Sequence, residues 1–185
     1  MDVPVLETLT KWAISPHGPH FSVLYGGRGS GKTVTVQKVT HDLRVMNGPK
    51  TTRTPHYFSL EYCTFSGSSV PTIEELLTES IRRHWSSEGN LPTGKLVLAQ
   101  AKRQPTVFII DGFDWLAMQL TKRQQQALMH ELLKLAPRLN SSAKWRGPWA
   151  GDDAKVLLTM GPEHKRLVQA QHTGSPLLEL LLGPL

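Results

Sequence analysis

Phe21-Ser22-Val23-Leu24-Tyr25-Gly26-Gly27-Arg28-Gly29-Ser30-Gly31-Lys32-Thr33 is a short apolar stretch that runs straight into a glycine-rich turn. The turn has the Gly-x4-Gly-Lys-Thr spacing of a phosphate loop. Glycines there let backbone N–H groups turn inward around phosphate oxygens with no Cβ in the way. A helical pattern with Val36, Val39, Leu43 and Met46 on one side begins at Thr33. Its free N–H groups and dipole face the same anion. Gly26, Gly27, Arg28, Gly29, Ser30 and Gly31 are therefore read as the nucleotide cradle. Lys32 is the β,γ-phosphate contact, and the Thr33 hydroxyl is a Mg²⁺ ligand.

Outward from the loop, strand and helix patterns alternate. Residues 5–14 have helix-spaced apolar positions, and Ser15-Pro16-His17-Gly18-Pro19 breaks them. Residues 56–62 alternate like a strand. Thr72 with Glu75, and Thr121 with Gln124, have the form of capping boxes that open helices. The second of these helices is predicted to end near Ala136. Another helix is read over residues 95–101. Thr106 to Ile110 is a continuous apolar run ending at Asp111, as in a strand buried on both faces of a parallel sheet. Residues 140–153 read as a polar loop, residues 156–160 as the last clear strand, and residues 163–171 as a helix. The tail, residues 175–182, is apolar and is given no element. The pattern predicts an α/β fold, a three-layer P-loop NTPase domain with a mainly parallel sheet.

A phosphate loop needs a carboxylate for its metal. Asp111, at the end of the most hydrophobic strand, fits that role and is the second Mg²⁺ ligand candidate. Many ATPases follow this Asp with a Glu that polarises the attacking water, but here the next residue is Gly112. Asp114 is the nearest acidic replacement, and Glu61 is another candidate. Loss of a positioned base costs about 10²–10⁴ in rate, so ATP binding is better supported than hydrolysis. Thr159 ends the next core strand and is a candidate γ-phosphate sensor, although Thr at a strand end also serves β-propensity. Arg28 and Arg166 are candidates for contacting phosphate or a neighbouring subunit. Solvated surface is the ordinary role of each.

Other sequence features exclude more than they assign. A single cysteine, Cys63, leaves no internal disulfide framework or cysteine-rich zinc site. No apolar run approaches the ~20 residues a membrane helix needs. The net charge of +6 permits an acidic partner such as nucleic acid, but the basic residues are scattered in pairs.

The two Walker segments resemble the AAA+ ATPases of the origin recognition complex, within the ASCE P-loop NTPases, and the phosphate loop is similar to that of its fourth subunit. Pro105 to Leu116 is similar to the Walker B strand of that family, which typically has Glu at the position of Gly112. This resemblance implies ATP with Mg²⁺, and a hetero-oligomer of AAA+ subunits acting on origin DNA in the nucleus, with no membrane. It carries over Lys32, Thr33, Asp111 and Thr159. It also implies one AAA+-like domain over residues 1–185, without room for a complete helical lid or winged helix. Asp111-Gly112-Phe113-Asp114 also resembles the Asp-Gly-apolar-Asp of NACHT/STAND signalling NTPases, which are switch modules for protein assembly. A third resemblance is to the nucleotide-binding P-loop protein of the mitochondrial ribosomal small subunit. The Gly-Gly-Arg-Gly-Ser-Gly-Lys wording also occurs in viral packaging ATPases, but the acidic pair expected after their Walker B strand is absent.

Overall fold

The computed structural model describes residues 3–46, 53–65, 69–86, 89–141 and 154–183. The first helix, α1 (Val3–Ile14), leads to β1 (Phe21–Gly26), α2 (Lys32–Val45) and β2 (Thr54–Ser59). Next come α3 (Ile73–His84), α4 (Gly94–Ala101), β3 (Thr106–Asp111), α5 (Phe113–Ala117) and α6 (Lys122–Ser141). The chain closes with β4 (Ala154–Met160), a 3₁₀ turn (Pro162–His164), α7 (Lys165–Gln171) and β5 (Leu177–Leu182).

The five strands form one sheet in the order β2-β3-β4-β1-β5, and every pair is parallel. β4 therefore lies between the strand that feeds the phosphate loop and the strand that ends at Asp111. Alternate side chains of the sheet enter two separate cores. Leu24, Val107, Ile109 and Leu157 pack with Leu9 and Trp12 of α1 and Val36, Val39 and Leu43 of α2. Val23, Phe58, Phe108, Ile110 and Leu158 face α3 to α7, including Leu77, Val97, Phe113, Leu132 and Val168. Two cores on opposite faces of one sheet make the three-layer architecture that the alternating pattern predicts.

Both capping boxes form. Glu75 N–H donates to Thr72 Oγ1 and Thr72 N–H donates back to Glu75 Oε2; Gln124 and Thr121 repeat the pattern. Three expectations need correction. β2 ends at Ser59, short of residue 62, because after a last ladder bond from the Leu60 N–H to the Asp111 carbonyl the chain turns: the Cys63 N–H donates to the Leu60 carbonyl and Tyr62 takes a φ of 60°. α6 passes Pro137 and runs to Ser141, so Asn140 and Ser141 are helical. Burial of Leu135, Ala136 and Leu139 outweighs the hydrogen bond that proline removes. The rest of the predicted loop, 142–153, falls outside the described residues. The apolar tail is an edge strand: β5 pairs with β1 from Phe21–Leu177 to Gly26–Leu182.

Candidate nucleotide site

Gly26 closes β1, and a Cβ at that position would lie 2.3 Å from Ser30 Oγ and 3.3 Å from Leu182 Cβ. Gly29 and Gly31 have φ of 77° and 89°, a left-handed backbone that favours glycine. The space that a side chain would take at Gly27, Gly29 and Gly31 is open. Gly31 is the N-cap of α2 and offers no side-chain cap. The N–H groups of that first turn lack intrahelical acceptors and sit at the positive end of the helix dipole. Ser30 Oγ is buried without a hydrogen-bond partner among the described residues. Lys32 Nζ donates to the loop's own carbonyls, Gly26 O at 2.5 Å and Gly27 O at 3.1 Å. An orphaned hydroxyl, an open glycine concavity and a lysine whose hydrogen-bond acceptors are the loop's own carbonyls fit a phosphate chain.

The Walker B side is a closed polar network. Asp111 is buried at the end of β3. Its Oδ1 accepts from Thr159 Oγ1 at 2.5 Å, and its Oδ2 accepts from the Tyr57 hydroxyl at 2.8 Å. Thr159 Oγ1 in turn accepts from the Gly112 N–H at 2.8 Å. Burial, then the Asp111 carboxylate, push the Tyr57 phenol upward, so it stays a donor. Gly112 has φ 91° and ψ 43° and caps α5. A side chain at Gly112 would be strained in this left-handed backbone. The turn sends the chain directly into α5, whose first turn carries Asp114.

Asp114 is the acidic group that meets the loop. Its Oδ2 lies 3.8 Å from Lys32 Nζ. Its Oδ1 accepts from the Gly161 N–H at 2.6 Å and faces His164 Nε2 at 3.2 Å. Burial favours the neutral carboxyl. The His164 hydrogen bond, the Gly161 N–H and the Lys32 charge outweigh it and hold Asp114 below the usual carboxylate range. The His164 ring stands edge-on to Phe113, with centroids 5.5 Å apart. Glu163 reaches within 3.9 Å of the same ring nitrogen. Donor atoms of Asp114, Glu163 and His164 all lie within 4.8 Å of one another.

The structure thus brings the expected residues into two pairs, Lys32 with Asp114 and Asp111 with Thr159. The Thr159 hydroxyl is committed to Asp111 and Gly112, so any influence it has on phosphate passes through them. Thr33 and Arg28 are exposed on the loop and the first turn of α2. The Glu61 backbone N is 3.9 Å from where a Gly112 Cβ would stand, while its side chain is exposed. Arg166 is exposed on α7. Tyr57, Gly161 and His164 were not singled out from the sequence. Tyr57 comes beside the acid through the parallel pairing of Ser59 with Asp111, a register that no local sequence pattern encodes.

Part of this site falls within a known domain, while Thr159, Gly161 and His164 lie beyond it. Residues 20–145 match the NACHT domain family, a span that holds β1, the phosphate loop, Asp111 and Asp114. The chain belongs to the NACHT domain family. This NACHT domain is a P-loop NTPase domain. No curated protein matches the chain. Among solved structures, Cdc6p from Pyrobaculum aerophilum is similar with a TM-score of 0.48 and 16% identity, over 96% of this chain and 44% of that one. Drosophila ORC bound to DNA gives a TM-score of 0.45 and 15% identity, over 97% of this chain and 42% of that one. The NACHT domain chain thus spans less than half the length of either. No helix among the described residues is long and apolar enough to cross a membrane.

Proposed function

We propose that this NACHT domain holds ATP with Mg²⁺ as a switch for assembly with partner proteins, and turns the nucleotide over slowly or not at all. The observation that carries this reading is the pairing of Lys32 with Asp114 over a glycine loop whose Ser30 hydroxyl is orphaned. Gly26 to Gly31 would hold the phosphates, Lys32 their charge, and Thr33 with Asp111 the metal and its water shell. When bound, ATP with Mg²⁺ supplies the γ-phosphate charge that distinguishes two states of the domain. Slow turnover rests on Gly112. Its left-handed backbone disfavours the usual base, and Asp114 is drawn towards Gly161, His164 and Lys32. Phenol and threonine hydroxyls on both Asp111 oxygens keep that carboxylate oriented.

The test is a titration of the chain with fluorescent ATP and GTP in Mg²⁺, followed by multiple-turnover hydrolysis. Saturable ATP binding is expected with turnover far below the usual ~1–10³ s⁻¹. A rate within that range overturns the slow-turnover reading, and absence of binding overturns the site. A second reading is a nuclear AAA+-like subunit of a replication-initiation complex on DNA, built on residues 1–185 as one domain. The net charge of +6 and the wording of the two Walker segments favour it. Purification of the native protein with its partners separates the two readings. Salt-dependent DNA retention alongside replication subunits supports the second, and protein partners alone support the switch.

A further inference from the structure

The opposite end of the sheet carries a cavity that the nucleotide reading leaves unused. It lies where β1 begins and where α7 turns into β5, the length of β1, about 17 Å, from the glycine loop. Its space of about 210 Å³ is bounded by α6, the start of β1 and the α7–β5 turn. Phe21, which is buried, forms the floor, and Leu133, Pro137 and Pro176 give it apolar walls.

The polar lining is of one kind. His20, His130, His172 and Lys134 border the cavity, and no carboxylate does. The acid next to it on α6, Glu131, is already held, because Arg138 donates to both of its oxygens. Lys134 makes no ion pair among the described residues. His20 has a partner, since its Nδ1 meets the Asn140 amide at 3.4 Å. The His172 Nε2, by contrast, is buried without a hydrogen-bond partner among the described residues. A buried polar atom left unpaired is costly, and calls for a ligand or a water beside it.

Size and chemistry narrow the occupant. The space equals roughly seven waters at the ~30 Å³ each takes in the liquid, which suits an organic molecule of roughly six to nine non-hydrogen atoms. An ammonium and imidazole N–H groups above apolar walls call for a negative head on a short apolar body. An inorganic anion would leave Phe21, Leu133 and the prolines without a partner. A metal ion fits less well. Among the described residues, the donors that gather in threes within 4.8 Å of one another are those of Asp114, Glu163 and His164, so the imidazoles of this cavity do not converge.

We infer that this cavity binds a small organic carboxylate, held between the Lys134 ammonium and the His172 ring. Nε2 reaches the carboxylate by a small rotation about a soft histidine torsion, at the residue where α7 ends. The bound acid ties α6 to the α7–β5 turn and so fastens β5, an edge strand whose neighbour in the sheet is β1. The site stands whether or not the glycine loop binds ATP.

The experiment titrates the chain with butyrate and benzoate, and with inorganic phosphate and Zn²⁺ as comparison probes. Thermal melts and the NMR ring signals of His130 and His172 are followed. At about ten times its Kd, either carboxylate should raise the melting temperature by about 3–6 °C and shift both ring signals. Lys134→Glu changes an exposed helix position, and His172→Phe keeps a flat ring without nitrogens. Both should melt like wild type without a probe and bind the carboxylates at least about tenfold more weakly. Lys134→Arg should retain binding. If His172→Phe melts early, Lys134→Glu alone decides. Saturation by Zn²⁺ but by neither carboxylate makes this a metal site. Phosphate binding as tight as that of the carboxylates makes it a plain anion site. Carboxylate binding unaffected by either substitution puts the ligand elsewhere. Each of these results overturns the proposal, as does the absence of any saturable binding.

Discussion

Lys32 and Lys155 make the same kind of contact at opposite ends of the sheet. Lys32 Nζ donates to Gly26 O and Gly27 O at the C-terminal edge, and Lys155 Nζ donates to Trp12 O and His17 O at the N-terminal edge. Their surroundings differ. Lys155 is fully buried and stands 5.3 Å from the Trp12 ring centroid. Nearby, Arg53 is also fully buried and donates to Ala13 O and Ser15 O. Together they clasp the end of α1, where carbonyls without helical partners accumulate negative potential. Lys32 has an acid within 3.8 Å, a wall of glycines and the N-terminal end of α2 beside it. The same ammonium is a permanent rivet where carbonyls surround it and a provisional occupant where the backbone turns its donors outward.

The widest expected separation comes from removing the rivet. Lys155→Ala leaves the Trp12 and His17 carbonyls without this donor and opens a void against Trp12, and should cost about 3–5 kcal/mol of stability. Chemical denaturation would show it as a lower midpoint. ATP affinity of the folded fraction should stay within about twofold of wild type. Loss of binding in proportion to loss of stability would mean that the two ends are not independent.

Lys32→Ala should give the mirror image. Charge-assisted bonds to phosphate are worth about 1.5–3 kcal/mol each, so ATP affinity should fall by about 2–4 kcal/mol. Because the lysine's present partners are two backbone carbonyls and Asp114 rather than core side chains, the denaturation midpoint should move far less than in Lys155→Ala. Unchanged affinity in a fluorescent-ATP titration would sink the phosphate-loop assignment.

This contrast also marks what could be read in advance. The glycine loop, the Asp111 strand and the alternation of elements were legible because each is local: a spacing, an apolar run, a capping box. The clasp was not, since Lys155 and Trp12 are far apart in sequence and a lysine within a strand ordinarily points to solvent. β5 was missed because Leu177 to Leu182 is apolar almost throughout, with neither alternation nor helical period, and only pairing with β1 defines it. Asp114 was legible as an acid near Asp111, but its partners Gly161 and His164 come from beyond β4. Their approach depends on the strand order, which no local pattern encodes.

Gly112 tests whether the C-terminal edge is built for a turn or has merely lost a base. Gly112→Ala places a Cβ on a φ of 91°, where nothing clashes within 3.9 Å but the backbone itself resists. The expected cost is about 1–2 kcal/mol of stability. Thermal melts would measure it, and a neutral outcome would mean that the turn into α5 relaxes easily.

Tyr57→Phe is the smallest and most selective change. It removes one hydroxyl that donates to Asp111 Oδ2 and leaves the ring in place against its neighbours. A neutral hydrogen bond contributes about 0.5–1.5 kcal/mol, and one to a carboxylate somewhat more, so a stability loss of about 1–2 kcal/mol is expected. The informative readout is the dependence of ATP affinity on Mg²⁺. Thr159 still holds Oδ1 in the variant, so Asp111 stays at the end of β3 but gains one free oxygen and one more direction of rotation. If Tyr57 serves to aim the carboxylate at the metal's water shell, half-saturation should require more Mg²⁺, while metal-free binding stays unchanged. If it only restrains an oxygen that the metal shell also needs, the requirement should fall. The sign of that shift decides whether β2 assists the metal side of the site or competes with it.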